Sequence, residues 1–327
     1  MLQSFLNNNQ KKLNKVFTSK QQKLVSIVLI TYNSEQYVAE TLESIALQTY
    51  ENIELIISDD FSIDNTVAIC QRFLENNKDK FHNTHLITVS SNTGIPANCN
   101  RGIAMCNGEW IKLIAGDDVF YKDAIENFVL NVEKKNSLVV QTNTVSYQND
   151  FQEENTKGIW KPSKRFSFFE QTAISQYKML MYRTFLHAPG VFFAKELFLE
   201  LQFDIDFPKI EDYPFWILIT VNGIKIDYLD INTVKYRIHE NSVQFVKDKP
   251  FIDRTKINQK RNILQKYYPD FKYSFVDFNL RYFNSLNQLG INSPRKISAI
   301  IYKTSNSLTL FFTYLFLRKI IIRKNNI

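Results

Sequence analysis

The chain has 327 residues, 44% of them hydrophobic, and a formal charge of +7 from 40 basic and 33 acidic side chains. That size and composition exclude a disordered chain or a small disulfide scaffold, and allow one large domain with an appendage, or two domains. Thirteen of the basic residues fall in 1–23 and 278–327, which hold no acid, leaving 27 basic against 33 acidic residues between them; an acidic body of this kind excludes a nucleic-acid reader, whose folded face should be basic.

The first segment, 1–23, is a basic leader carrying Lys11, Lys12, Lys15, Lys20 and Lys23. Four β-rich runs follow: "VSIVLI" (25–30), "IELII" (53–57), "HLITV" (85–89) and "WIKLI" (110–114). Their apolar density is that of strands buried on both faces. Between them, Val38, Leu42, Ile45 and Ala46 mark one helix face, and Val67, Cys70, Phe73 and Leu74 mark another behind a cap at Asp64. This alternation predicts an α/β fold with a mostly parallel central sheet and helices on both faces. Each strand runs into a polar cluster: "TYNSE", "SDDFSIDNT", "SSNTG" and "AGDD". All four therefore fall beyond the carboxyl ends of strands, where open α/β sheets bind ligands.

From 138 the pattern loosens. "LVVQT" (138–142), "VFFA" (191–194) and "IKIDYL" (224–229) predict further strands, separated by long polar and aromatic stretches where substrate contacts are expected. From about 252 the chain is helical, and its tail joins "LTLFFTYLFL" (308–317) to "RKIIIRK". That run is shorter than the roughly 20 residues of a spanning helix. Two readings stay open: an interfacial segment with Arg318, Lys319, Arg323 and Lys324 on an anionic membrane surface, or a helix packed on the body or on a second subunit. The expected organisation is a leader at 1–23, a body at 24–250 and a helical, basic region at 251–327. Cys70, Cys99 and Cys106 have no CxxC spacing and no secretory signal precedes them, so a cytoplasmic location is expected, at the inner face of the membrane if the tail binds lipid. The abundance of Asn, Lys, Ile and Phe is compatible with an AT-rich bacterial genome.

There is no GxGxxG after a strand, no Walker loop, no HExxH and no Cys/His zinc spacing. What remains is carboxylate-rich: Asp59 with Asp60, Asp117 with Asp118, and Glu211 with Asp212. Adjacent carboxylates raise each other's pKa unless a cation lies between them, and a hard Mn²⁺ or Mg²⁺ ion with substrate phosphates in its shell is one such cation. Asp60 could accept from an imide N–H while Tyr32 stacks on a base; the alternative is that Asp59 and Asp60 cap a turn. Glu211 and Asp212 either stabilise a helix start or supply a general base. "YRIH" (236–239) sets Arg237 beside His239, a pair suited to a diphosphate or its metal.

Four stretches taken together resemble family 2 glycosyltransferases, the inverting nucleotide-sugar enzymes of the GT-A fold. They are "SIVLITYNSEQYVAETLESIALQTYENIELIISDDFSIDNT", "NTGIPANCNRGIAMCNGEWIKLIAGDD", "IEDYPFWI" and "YRIHENSV". The resemblance implies that Tyr32 and Asp60 contact the base, with Glu35 and Asn92 in support. It implies Asp118 as the metal ligand, Asp117 on the donor ribose or sugar, Asp212 as the catalytic base, and His239 on metal or diphosphate, with Arg237 beside it. The implied reaction moves a sugar from a UDP-sugar to a hydroxyl of a glycan or lipid-linked acceptor, as in surface polysaccharide synthesis. Three departures stand out: Ile30 replaces a common Pro, Cys99 a common basic residue, and Ala115 a common acid. Two other classes are weighed against this one: a catalytically silent glycan-binding or assembly protein at the membrane, and a nucleotidyltransferase. The latter would want a Gly-rich, basic triphosphate loop that "TYNSE" does not provide.

Overall fold

The computed structural model describes residues 23–132, 137–162, 168–181, 184–240 and 254–268. The basic leader up to residue 22 and the apolar, basic tail lie outside these residues. Nine strands form one sheet: β1 (Val25–Thr31), β2 (Ile53–Asp59), β3 (Thr84–Ile87), β4 (Trp110–Ala115), β5 (Val119–Phe120), β6 (Val139–Gln148), β7 (Thr156–Trp160), β8 (Val191–Ala194) and β9 (Ile226–Ile238). Their order is β3-β2-β1-β4-β8-β6-β9-β5, with β7 added on β6. The expected parallel sheet is the β3-β2-β1-β4 half. Beyond β4 the sheet is mixed, because β8 inserts antiparallel between β4 and β6 while β9 returns parallel to β6.

Helices α1 (Val38–Ala46), α2 (Thr66–Asn76), α3 (Ile95–Ala104), α4 (Ala124–Val132), α5 (Ala173–Leu180) and α6 (Asp212–Val221) complete the first compact unit, which ends at His239. Alternation along β1 sorts its side chains between the two sheet faces. Val25, Ile27 and Leu29 join a core with Val38, Leu42 and Ile45 of α1, Cys70 of α2 and Phe128 of α4. Val28 instead meets α3, where Gly102 packs so tightly that a Cβ would stand 2.4 Å from Val28 Cγ1. Helices thus cover both faces. In the second unit, α7 (Arg254–Tyr267) buries Ile263 and Leu264. Among the described residues no helix is long and apolar enough to cross a membrane.

Two packing features fix the site. At the amino ends of the strands, the buried Glu54 carboxylate accepts from Ser26 Oγ (2.5 Å), Gly108 N (3.0 Å) and the Asn107 amide, pinning the α3–β4 turn under β1 and β2. These bonds hold its pKa below the usual carboxylate value against the opposing effect of burial. At the other end, α6 is buried nearly all round. Its Phe215 packs on Phe203 (4.3 Å between centroids) and Phe198 (5.5 Å), and Trp216 stacks with Phe193, so the helix start that carries Asp212 is set by an aromatic core.

Candidate active site

The loops after β1 and β2 are laced together by short polar side chains. Asp59 accepts from Thr31 Oγ1 (2.8 Å) and from Ser62 N (2.8 Å), so it is the turn former of the acidic pair. Asn33 N donates to Ser62 Oγ and Ile63 N donates to Asn33 Oδ1, with Asn33 and Phe61 in the left-handed region at φ 47° and 71°. Asn65, not the expected Asp64, is the N-cap of α2, while Asp64 just before it accepts from Thr66 N through Oδ1 (3.0 Å). Glu35, expected at the donor, instead uses its carboxylate on Asn65: Oε2 accepts from Asn65 N (2.9 Å) and Nδ2 (2.8 Å) at the start of α2. Tyr32 remains half-exposed and open to a ligand.

Asp60 is almost fully buried and holds the loop after β3. It accepts from Thr93 N (3.0 Å), Thr93 Oγ1 (2.5 Å) and Gly94 N (2.8 Å), and pairs with Arg101 at 3.0 Å. The expectation that Asp60 reads a base edge therefore meets a carboxylate already engaged on four donors. Asn92, exposed beside it, accepts from Gly94 N at 3.2 Å. Arg101 answers the departure at Cys99: the basic residue stands two positions on, still on α3, and reaches the same carboxylate.

The turn after β4 is close at Gly116, where a Cβ would press on its neighbours at 3.0 Å from Ser34 and 3.1 Å from Thr31. Asp118 is 1% exposed, and its Oδ1 accepts from Arg237 N at 2.9 Å. Burial, and next the charge of Asp117, push its pKa well above the usual carboxylate range; the Arg237 amide, Lys112 and the Arg237 guanidinium act the other way. Asp117 is the more open of the two, and its Oδ2 meets His239 Nε2 at 3.0 Å.

Arg237 departs from its expected place on the diphosphate. Its Nε donates to Asp117 O (2.8 Å), and its terminal nitrogens to Asn149 O and the Glu40 carboxylate. The guanidinium is sandwiched between the rings of Phe151 (4.1 Å) and Tyr37 (4.6 Å). With all three nitrogens engaged inside the protein, Arg237 positions the Asp pair instead of facing a ligand. Nothing in the local pattern of Glu40, Asn149 or Phe151 announces that task, because each is distant from Arg237 in sequence.

Asp117, Asp118 and His239 form a hard oxygen and imidazole set suited to Mn²⁺ or Mg²⁺. Among the described residues no three His, Cys, Asp or Glu side chains converge on one ion position. The set therefore fits as a partial shell that substrate phosphates would complete.

Asp212 opens α6 and accepts from Tyr213 N at 2.6 Å. Its neighbour Glu211 is pushed up to about 8 by burial, with the charge of Asp212 adding to the effect. Burial also raises Asp212, opposed mainly by the Tyr213 amide. The Tyr236 phenol is raised first by burial, then by the charges of Asp118, Asp117 and Glu211. Close behind lies Lys112 of β4, 0% exposed, donating to Pro189 O and Val191 O (3.3 Å) over the Phe192 ring at 4.9 Å. Burial pushes its ammonium down to about 7, against the pull of Asp118. The three cysteines are buried and free, with thiols raised by burial, so none is placed as a nucleophile.

The model of "Glycosyl transferase family 2" matches residues 26–188. An uncharacterized glycosyltransferase of Haemophilus influenzae is 27% identical over 294 residues, covering 87% of this chain and 86% of that protein. Escherichia coli WfaP, a UDP-Glc:alpha-D-GlcNAc-diphosphoundecaprenol beta-1,3-glucosyltransferase, is 27% identical over 241 residues, covering 72% and 85%. In the solved structures, the mannosyltransferase PcManGT of Pyrobaculum calidifontis, in complex with GDP-Man and Mn²⁺, aligns with a TM-score of 0.54 at 15% identity over 93% of this chain and 87% of that one. The chain belongs to glycosyl transferase family 2, and it is a glycosyltransferase of the GT-A fold.

Proposed function

We propose that the protein transfers a sugar from a UDP-sugar to a hydroxyl of a lipid-linked glycan, by a single displacement with inversion, at the inner face of the cell membrane. The observation that carries this reading is the family 2 glycosyltransferase match over residues 26–188, with the Asp117–Asp118 pair on the turn after β4 and Asp118 held by the Arg237 amide at 2.9 Å. The activity in the name of WfaP, a UDP-Glc:alpha-D-GlcNAc-diphosphoundecaprenol glucosyltransferase, supports the UDP donor and the lipid-linked acceptor. Tyr32 and Asn92 frame the nucleotide on loops that Asp60 holds. Two of Asp117, Asp118 and His239, with donor phosphates completing the shell, would hold the divalent ion, and the ion would neutralise charge on the departing diphosphate.

Asp212 takes the proton from the acceptor hydroxyl. The acceptor oxygen forms its bond to the anomeric carbon as the bond from that carbon to the diphosphate oxygen breaks, and the electron pair leaves with UDP. Burial, by raising the basicity of Asp212, suits it to this role. The test is transfer from a panel of nucleotide sugars with Mn²⁺, repeated with Asp212→Asn. Turnover should fall by about 10²–10⁴-fold with UDP affinity within twofold of the parent. Loss of UDP binding with turnover of bound donor preserved would reassign Asp212 to the donor site.

A further inference from the structure

Three rings meet in the mixed half of the sheet, on β7, β9 and the segment before β8. Trp160 ends β7 and pairs across the sheet with Thr144 of β6. Thr144 Oγ1 lies 2.7 Å from His187 Nδ1. The His187 ring stacks with Trp160 (6.1 Å between centroids, 17° between planes) and meets Tyr236 edge-on at 5.0 Å. All three side chains belong to partly exposed residues.

The backbone at His187 is held tightly. Its N–H donates to Gln141 Oε1 (3.0 Å), and its carbonyl accepts from Gln141 Nε2 (3.1 Å) and Gly190 N (3.0 Å). Gly190 is required there, because a Cβ would stand 2.4 Å from Gln141 Nε2. Gln141 itself is fully buried. The imidazole is thus fixed through Nδ1 and its own main chain, while Nε2 makes no hydrogen bond to a described residue. Burial, with the Lys112 charge adding, keeps the ring neutral by pushing its pKa down to about 4.

A rigid, neutral, partly exposed arrangement of flat apolar faces with one ring nitrogen and one phenol suits a pyranose. Such a ring offers C–H faces to aromatic planes and hydroxyls to the polar atoms. Its position separates it from the donor. The loops that carry Tyr32, Asp60 and Asn92 follow β1, β2 and β3, the Asp pair follows β4, and the three rings lie on β7, β9 and the segment before β8. Tyr236 joins the two regions, since the next residue on β9, Arg237, donates its N–H to Asp118 at 2.9 Å.

We infer that Trp160, His187 and Tyr236 form the acceptor subsite, with a pyranose of the acceptor glycan lying against Trp160 and one of its hydroxyls on His187 Nε2. This rests on the glycosyltransferase reading of the same site, yet its test does not need turnover. The probes are p-nitrophenyl β-D-glucopyranoside and the corresponding N-acetylglucosaminide, their binding followed by saturation-transfer NMR, with UDP and Mn²⁺ binding followed separately by calorimetry.

Trp160→Ala and His187→Ala should each weaken glycoside binding about five- to tenfold, while UDP affinity stays within twofold. Trp160→Phe, which keeps an aromatic face, should stay within about threefold of the parent, and it decides the matter if Trp160→Ala does not fold. Unchanged glycoside binding in Trp160→Ala and His187→Ala, or no binding of either glycoside by the parent, overturns the subsite. Failure of UDP to bind the parent overturns the donor reading instead, and leaves the glycoside comparison to decide the subsite by itself.

Discussion

Replacing Lys112 by Met should make the protein more stable at pH 6, with the gain shrinking to near nothing by about pH 9. The lysine is 0% exposed, and its pKa falls from 10.5 to about 7 on folding. A lysine with a depressed folded pKa leaves the protein most stable above the unfolded value of 10.5. Stability is then lost as pH falls towards 7, and the loss levels off below that. From these two values the penalty is ~5 kcal/mol at pH 6 and ~2 kcal/mol at pH 9.

Methionine fills a similar volume and carries no charge. It loses the bonds to Pro189 O and Val191 O and the cation–π contact with Phe192, at a cost of about 1–3 kcal/mol that does not vary with pH. The difference in stability between Lys112→Met and the parent should therefore be larger at pH 6 than at pH 9 by ~3 kcal/mol. Urea denaturation followed by far-ultraviolet circular dichroism at pH 6, 7.5 and 9 measures it. A difference flat to within about 1 kcal/mol across that range, or one that grows with pH, would refute the reasoning.

Two further outcomes follow from packing and charge. Gly108→Ala should destabilise the fold by about 2–4 kcal/mol, because its Cβ would stand 2.6 Å from Ser26 Oγ and 2.7 Å from Leu24 O; an unchanged thermal midpoint would show that the turn relaxes freely. Arg101→Met removes the cation beside the buried Asp60, and should lower UDP affinity about tenfold, as expected when a buried charge loses its partner; calorimetry showing undiminished UDP affinity would remove Asp60 and its loop from the donor site.

The parallel half of the sheet was legible because β1, β2 and β4 are apolar on both faces. The mixed half was not. "IKIDYL" marks the start of β9, but the strand runs on through "VKYRI", where Lys235 and Arg237 alternate with Val234 and Tyr236. Charged residues in a strand look like an exposed edge until the partners for Arg237 are found on α1 and after β6, nearly 200 and 90 residues away in sequence. The Asp pair and Asp212 could be placed by local pattern, since each sits at the junction of an apolar run and a turn. Lys112 is hidden within "WIKLI", whose apolar neighbours dominate the period. Trp160 and His187 carry no local signal at all, because their meeting depends on the antiparallel insertion of β8 beside β6.

β9 is the last strand of the first compact unit; it supplies the amide that meets Asp118, and the residue just beyond it, His239, supplies the imidazole that meets Asp117. A growing polypeptide leaves the ribosome amino end first, so β1 to β4 and the Asp turn are made more than a hundred residues before the strand that closes them. Asp118 therefore waits while about 120 further residues are added, and is enclosed only when residues 237 to 239 arrive. Closure around the Asp pair is a late event, and a nascent chain halted before that point would carry the loops after β1 to β4 without the partners that hold Asp117 and Asp118.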